Sequence, residues 1–222
     1  MLRFAREGAP FTWPSLGAAV SFWALLYIGV GAGTWWGPAM AVLSTLMAAF
    51  MFFFFRDPDR EIPGDPALVL APGDGRIVEI SEVDEPAFLE GPARRISIFL
   101  SLFDVHVQRA PVRGRVAYKA RKAGAYVAAW SSHASEANAH ASLGLETGQG
   151  RVLVRQITGL VARRIVTRPE EGDTLGPGQR YGLIRFGSRV DTFVPLDWPV
   201  TCRVGERAIG GVTVLARMQE ES

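Results

Sequence analysis

Between Leu16 and Phe55 the chain carries no Asp, Glu, Lys, Arg or His over forty residues, twice the roughly 20 apolar residues that cross a bilayer once. Gly29, Gly31, Gly33, Gly37 and Pro38 gather around Trp35 and Trp36, a break with interfacial aromatics that divides the stretch in two. The pattern predicts a helical hairpin. Its first arm, Leu16 to about Val30, is short for a span, and its second, Pro38 to Phe55, is long enough for one. Two crossings and a shallow re-entrant hairpin both remain open. A cleaved signal peptide fits poorly, because its apolar region runs roughly 7–15 residues. Arg3 and Arg6 precede the stretch and Arg56 and Arg60 follow it, so both flanks carry the positive charge of a cytoplasmic side, as an even number of passes requires.

Beyond the hairpin the period changes. A turn-rich linker, Arg56-Asp57-Pro58-Asp59-Arg60 and then Pro63-Gly64-Asp65-Pro66, leads into short runs of strand length. These are Arg76–Ile80, Ile96–Leu102, Arg115–Tyr118, Arg151–Ile157, Ala162–Val166, Tyr181–Phe186, Asp191–Val194, Thr201–Val204 and Thr213–Arg217. Ile96 to Leu102 alternates apolar and polar with period two, the mark of a half-buried strand. The fold class is therefore mainly β (α+β): the N-terminal hydrophobic helical hairpin and linker over 1–60, then a β-sandwich or barrel-like domain over 61–222. Val204 to Leu215 resembles the closing hairpin of lipoyl-type β domains. The one further helix-permitting stretch is Ser131 to about Ser142, rich in Ala.

Composition narrows the partners. The formal charge is +2, and all but Lys119 and Lys122 of the 24 basic residues are Arg. They are scattered along the chain, so the clustered charge of a nucleic-acid footprint is missing. Cys202 is the single cysteine, which excludes an intramolecular disulfide and any multi-cysteine metal site; it reads as a small apolar strand residue. No metal is expected.

Three polar residues have settings that packing does not require. Asp74 lies between Gly73 and Gly75, His106 in the apolar run Leu102-Phe103-Asp104-Val105-His106-Val107, and Ser188 after Gly187 between two strand-like runs. Singly each reads as ordinary: a turn aspartate, a packed histidine, a Gly-Ser turn. Together an acid, an imidazole and a hydroxyl are the parts that activate a serine. The glycine-flanked elbow of hydrolases is absent, since Phe186 and Val190 occupy its glycine positions. Three readings follow from the residues: an enzyme built on Ser188, a serine hydrolase acting on lipid, and a noncatalytic membrane-anchored lipoyl-like adaptor. A swinging-arm carrier is disfavoured, because neither Lys119 nor Lys122 sits in the closing hairpin.

The order of five pieces decides among them. Phe53-Phe54-Phe55-Arg56-Asp57-Pro58-Asp59-Arg60, the Asp74 turn, the His106 strand, Gly159-Leu160-Val161-Ala162-Arg163-Arg164-Ile165, and Ile184-Arg185-Phe186-Gly187-Ser188-Arg189-Val190-Asp191 resemble the short bacterial form of phosphatidylserine decarboxylase. The resemblance runs from about residue 50 to the C-terminus. It implies a proenzyme that cuts itself between Gly187 and Ser188, with His106, oriented by Asp74, as the base. Ser188 then becomes a pyruvoyl group, the only cofactor implied, at the head of an α chain 188–222 paired with a β chain 1–187. That heterodimer leaves room for a higher homo-oligomer. The implied reaction converts phosphatidylserine in the membrane to phosphatidylethanolamine and CO2 through a Schiff base on the pyruvoyl ketone, an electron sink. The implied location is the cytoplasmic face of the bacterial inner membrane. Longer relatives carry a second histidine where Phe103 stands here, which hands both autocleavage and reprotonation to His106. Phe103, Arg163 and Arg164 are expected at the substrate, the two arginines facing the lipid phosphate. His133 and His140 replace other residues of the family pattern and receive no role.

Overall fold

The computed structural model describes residues 2–127, 134–160, 164–185 and 187–219, and the chain divides into two compact units, Met1–Asp59 and Arg60–Ser222. In the first unit, β1 (Leu2–Phe4) pairs antiparallel with β2 (Arg56–Pro58). Between them run helices α1 (Ala9–Tyr27) and α2 (Trp36–Phe54). Pro10 sits at the start of α1, where a missing N–H costs nothing. The turn after α1 passes through Gly29 and Gly31 at φ 87° and 77°, a left-handed backbone that glycine adopts without Cβ strain. A Cβ on Gly37 would lie 2.4 Å from the Gly31 carbonyl oxygen, so the helix start must be glycine.

The helices pack through small residues, with Ala19, Ala41 and Ala48 buried, while Trp13, Val20, Leu43 and Leu46 are exposed. That inverts the order of a water-soluble pair, since close approach through small residues with large apolar groups outside is how helices associate in lipid. Among the described residues α2 is the helix long and apolar enough to cross a membrane. The β1–β2 pairing sets Phe4 opposite Arg56 and Arg3 opposite Asp57, so the two ends of the hairpin meet.

The second unit carries an eight-stranded sheet curled into a half-barrel. In chain order its strands are β3 (Leu68–Leu70), β4 (Gly75–Glu85), β5 (Gly91–Leu100), β6 (Val107–Arg109), β7 (Gly114–Lys122), β8 (His140–Thr147) and β9 (Gly150–Ile157). They continue with β10 (Ile165–Thr167), β11 (Thr174–Leu175), β12 (Arg180–Ile184), β13 (Ser188–Pro195), β14 (Arg207–Ala208) and β15 (Val214–Arg217). The large sheet runs β11-β7-β8-β9-β13-β5-β4-β14, with β10-β12-β6 and β15-β3 as smaller sheets. The arms of the closing segment, β14 and β15, lie against β4 and β3.

One side of the large sheet faces the core, where Ile77, Ile96, Ile98, Leu100, Val190 and Leu215 pack, as does a second cluster around Val116, Leu143, Val154 and Trp198. Strand β13 lies between β9 and β5 and is buried on both faces. Its odd face carries Arg189, Asp191 and Phe193, and its even face Ser188, Val190, Thr192 and Val194.

Two sequence expectations change. The Ala-rich stretch 131–142 is helical only at α3 (Ala134–Ala137) among the described residues, and His140 to Ser142 open β8. Pairing with β7 and β9 along the whole of β8 outweighs the weak helix preference of alanine. Thr201–Val204 forms no strand; Thr201 N–H donates once to Leu215 O at 2.9 Å, and Pro199 precedes it.

Candidate active site

Ser188 is the first residue of β13 and pairs with Leu100 of β5. Alternation turns its side chain to the core face, where it is fully buried. Its Oγ has no hydrogen-bond partner among the described residues. An unsatisfied buried hydroxyl costs about 1–3 kcal/mol, and such a group in a native structure calls for an explanation. Gly187 has φ 71°, the left-handed region that only glycine enters cheaply.

His106 is fully buried just before β6. Its Nδ1 lies 2.9 Å from the carbonyl oxygen of Asp104, so Nδ1 carries the proton and donates it, which leaves the lone pair on Nε2. That Nε2 accepts the Gly187 N–H at 3.4 Å. The structure thus brings His106 to Gly187, with Nε2 against the N–H of the peptide unit that precedes the Gly187-Ser188 bond.

Asp104 is a residue the sequence reading passed over. Its carboxylate accepts from Ser101 N–H at 2.9 Å, Ser101 Oγ at 2.6 Å and Arg207 Nη2 at 2.6 Å. These bonds fix the 101–104 turn, and with it the carbonyl that aligns His106. A turn signal was present as Ser-x-x-Asp, hidden in an otherwise apolar run.

Asp74 lies in the turn entering β4, two strands from β13 in the sheet order. At about 4.8 Å per strand its backbone stands roughly 10 Å from that of Ser188. Its Oδ2 accepts from Arg60 Nη2 at 2.8 Å and its Oδ1 from Gly210 N–H at 2.8 Å. Arg60 is a second residue missed, because it read as linker charge. Gly75 must be glycine, since a Cβ there would lie 2.1 Å from Phe99 O.

The odd face of β13 holds a buried polar cluster. Arg189 is 1% exposed and donates from Nε to Asp191 Oδ1 at 2.7 Å, and from Nη2 to Glu79 Oε2 at 2.9 Å and Ser97 Oγ at 2.6 Å. Ser135 Oγ donates to Asp191 Oδ2 at 2.5 Å, and Arg95 Nη2 to Glu79 Oε1 at 2.7 Å. Burial pushes the Glu79 carboxyl upward, but hydrogen bonds from Arg95, Arg189 and Ser81 outweigh it and hold the group at about 2. Burial also opposes the charge on Arg189, and Asp191 and Glu79 more than restore it.

Of the expected substrate residues, Phe103 is exposed in the 101–104 turn. Arg164 is exposed just before β10, while Arg163 and His133 lie outside the described residues. His140 is half-buried at the start of β8, with Nδ1 2.9 Å from Asn138 O. Burial lowers its pKa, the Asn138 carbonyl opposes this, and Arg155 and Lys122 lower it further. Among the described residues no group of His, Cys, Asp and Glu is arranged to hold a metal ion. A cavity of about 780 Å³ at the Thr147–Gly150 turn and Trp198 lies at the opposite end of the sheet from Ser188.

Residues 47–216 match the family model described as phosphatidylserine decarboxylase. The phosphatidylserine decarboxylase proenzyme of Symbiobacterium thermophilum is 47% identical over 218 residues, 97% of this chain and 96% of the relative. That of Salinibacter ruber is 47% identical over 192 residues, 85% of this chain and 84% of the relative. That of Carboxydothermus hydrogenoformans is 43% identical over 205 residues, covering 92% and 89%.

Proposed function

The chain belongs to the phosphatidylserine decarboxylase family and is a carboxy-lyase, and from that premise we propose that it matures by cutting its own backbone between Gly187 and Ser188. The observation that carries this is local: a buried Ser188 Oγ with no hydrogen-bond partner among the described residues, next to a left-handed Gly187 whose own N–H is bound by His106 Nε2. His106 takes the Ser188 hydroxyl proton, Oγ adds to the Gly187 carbonyl carbon, and the C–N bond breaks to leave an ester and a free amine. Elimination then releases the Gly187 carboxylate and leaves dehydroalanine. Its imine form takes up one water and loses ammonia, so residue 188 ends as a pyruvoyl group. Asp104, through its carbonyl, positions His106, and Asp74 with Arg60 supports the same end of the sheet.

The even face of β13 suits the group formed there, since residue 188 is fully buried opposite Leu100 of β5. A pyruvoyl group at residue 188 would supply a ketone for the substrate amine and an electron sink for loss of CO2. His106 then holds the proton that returns to the α carbon, giving phosphatidylethanolamine from phosphatidylserine. After the cut, chains 1–187 and 188–222 remain one heterodimer, held by β13 between β9 and β5. The apolar outer surface of α1 and α2, and the meeting of both hairpin ends, support anchoring at the cytoplasmic face of a bacterial inner membrane.

Denaturing electrophoresis with mass measurement tests the first step. Wild type should give two pieces, the smaller beginning at residue 188 with a blocked N-terminus, and Ser188→Ala one piece without decarboxylase activity. Decarboxylation by uncut Ser188→Ala would overturn the assignment.

A further inference from the structure

Strand register places Arg189, Ile157, His140 and Lys122 in one row across β13, β9, β8 and β7. This row ends at a cavity of about 410 Å³ lined by Arg121, Lys122, His140, Thr158, Arg164 and Ile165. Three features distinguish it. First, Arg121, Lys122 and Arg164 have no side-chain ion pair or hydrogen bond among the described residues, whereas Arg60, Arg95, Arg155, Arg189 and Arg207 each pair with a carboxylate. Second, burial lowers the His140 pKa, and Arg155 and Lys122 place positive charge close enough to lower it further against the opposing pull of the Asn138 carbonyl and Asp191. Third, apolar tips leave the same end of the sheet: Phe103 is 68% exposed shortly after Leu100, the partner of Ser188, and Leu160 is 62% exposed shortly after Ile157, the partner of Arg189.

We propose that this cavity binds the phosphodiester of a glycerophospholipid headgroup, with Arg121, Lys122 and Arg164 as its cations. The inference rests on the reading that the substrate is phosphatidylserine. Unpaired cations around a recess are an anion site waiting for its charge, and the apolar tips beside it suit acyl chains rather than a free ion. Paired residues share a face, so His140 and Lys122 lie on the Arg189 face rather than that of Ser188, and compatibility with reaction at residue 188 rests on the shared end of the sheet, where β13 begins. Two strand spacings put the backbone of His140 about 10 Å from that of Arg189 and three put Lys122 about 14 Å away. Long cationic side chains reach back across much of that gap, and in the substrate only four bonds separate the amine from phosphorus.

The test uses the full chain in detergent. In the uncut Ser188→Ala background, binding of water-soluble sn-glycero-3-phosphoserine and of inorganic phosphate is titrated with and without Lys122→Gln/Arg164→Gln. Loss of a charged hydrogen bond should raise the Kd for glycerophosphoserine about tenfold or more. In the cutting background the same pair should raise KM for phosphatidylserine by a similar factor with kcat little changed, and self-cleavage should proceed as in wild type. Unchanged affinity for glycerophosphoserine overturns the proposal, even where binding to phosphatidylserine vesicles falls, because the cations would then serve the bilayer surface. Binding of inorganic phosphate without glycerophosphoserine overturns it too. Failure of wild type to cut would instead refute the maturation reading, which the binding arm does not depend on.

Discussion

Replacing Arg189 by Met removes the guanidinium that neutralises two carboxylates and leaves a side chain of similar length. Asp191, fully buried, would keep only the Ser135 hydroxyl among the partners described above, while Glu79, about a quarter exposed, would keep Arg95. Breaking a buried pair by deleting one partner costs about 3–5 kcal/mol, because the other charge stays buried without compensation. In a domain of this size each kcal/mol lowers Tm by roughly 2–4 °C, so the loss should be on the order of 6–20 °C. The assay is thermal unfolding together with hydrogen exchange of the β13 amides, both in the Ser188→Ala background so that chain cutting plays no part. Arg189→Met/Asp191→Asn, which removes the orphaned charge, should recover at least half of the loss, a coupling that independent sites would not show. A cost under about 1 kcal/mol, or strictly additive losses, would refute the view that this cluster holds β13 in place.

Gly187→Ala meets no atom within 4 Å, so its effect is conformational: the left-handed backbone costs a residue with a Cβ about 1–2 kcal/mol. Self-cleavage on a time-course gel should slow about tenfold in consequence, and a rate within twofold of wild type would remove the backbone geometry from the mechanism. The Glu79 carboxyl is held at about 2 against an ordinary 4.5, so its stabilisation is complete above the ordinary value and is lost as pH falls toward the lower one. The stability gap between wild type and Glu79→Gln should therefore be constant near neutrality and close on acidification, by about 2 kcal/mol once partial exposure is allowed for; a gap that persists at pH 2 would refute this. Burial pushes the Cys202 thiol to about 11, so native chain at pH 8 should react with a thiol reagent about a hundredfold more slowly than unfolded chain.

Much of the architecture is written in period. The uncharged stretch from Leu16 to Phe55 and the alternation from Ile96 to Leu102 announce α2 and β5, because a hydrocarbon layer and a sheet face each impose one repeat. What escaped is pairing. His140 to Ser142 read as helix from alanine content, yet they form a central strand because β7 and β9 flank them. The site divides in the same way. Asp74, His106 and Ser188 stand out by type and neighbours, whereas Asp104 acts through a backbone carbonyl, which no side-chain pattern reveals. Arg60 reaches Asp74 only after the chain turns back on itself.

On the proposed maturation, the two faces of β13 account for how a chain cut at the head of a central strand would stay useful. On the even face the first residue is a buried hydroxyl without a hydrogen-bond partner among the described residues. On the odd face the next residue is anchored to Asp191, Glu79 and Ser97, and backbone pairing continues to β5 as far as Pro195. Cutting the 187–188 bond would release the backbone constraint on residue 188 but none of the side-chain bonds that begin at residue 189. The new terminus is therefore held within one residue of an immobile, charge-locked strand, so that a group formed there need not search for its position against His106. This reasoning separates two phenotypes: loss of Ser188 should abolish cutting while β13 stays ordered, and loss of Arg189 should loosen β13 in cut and uncut chains alike. Finding that the small chain dissociates from cut wild type under native conditions, at the rate it leaves cut Arg189→Met, would break that separation.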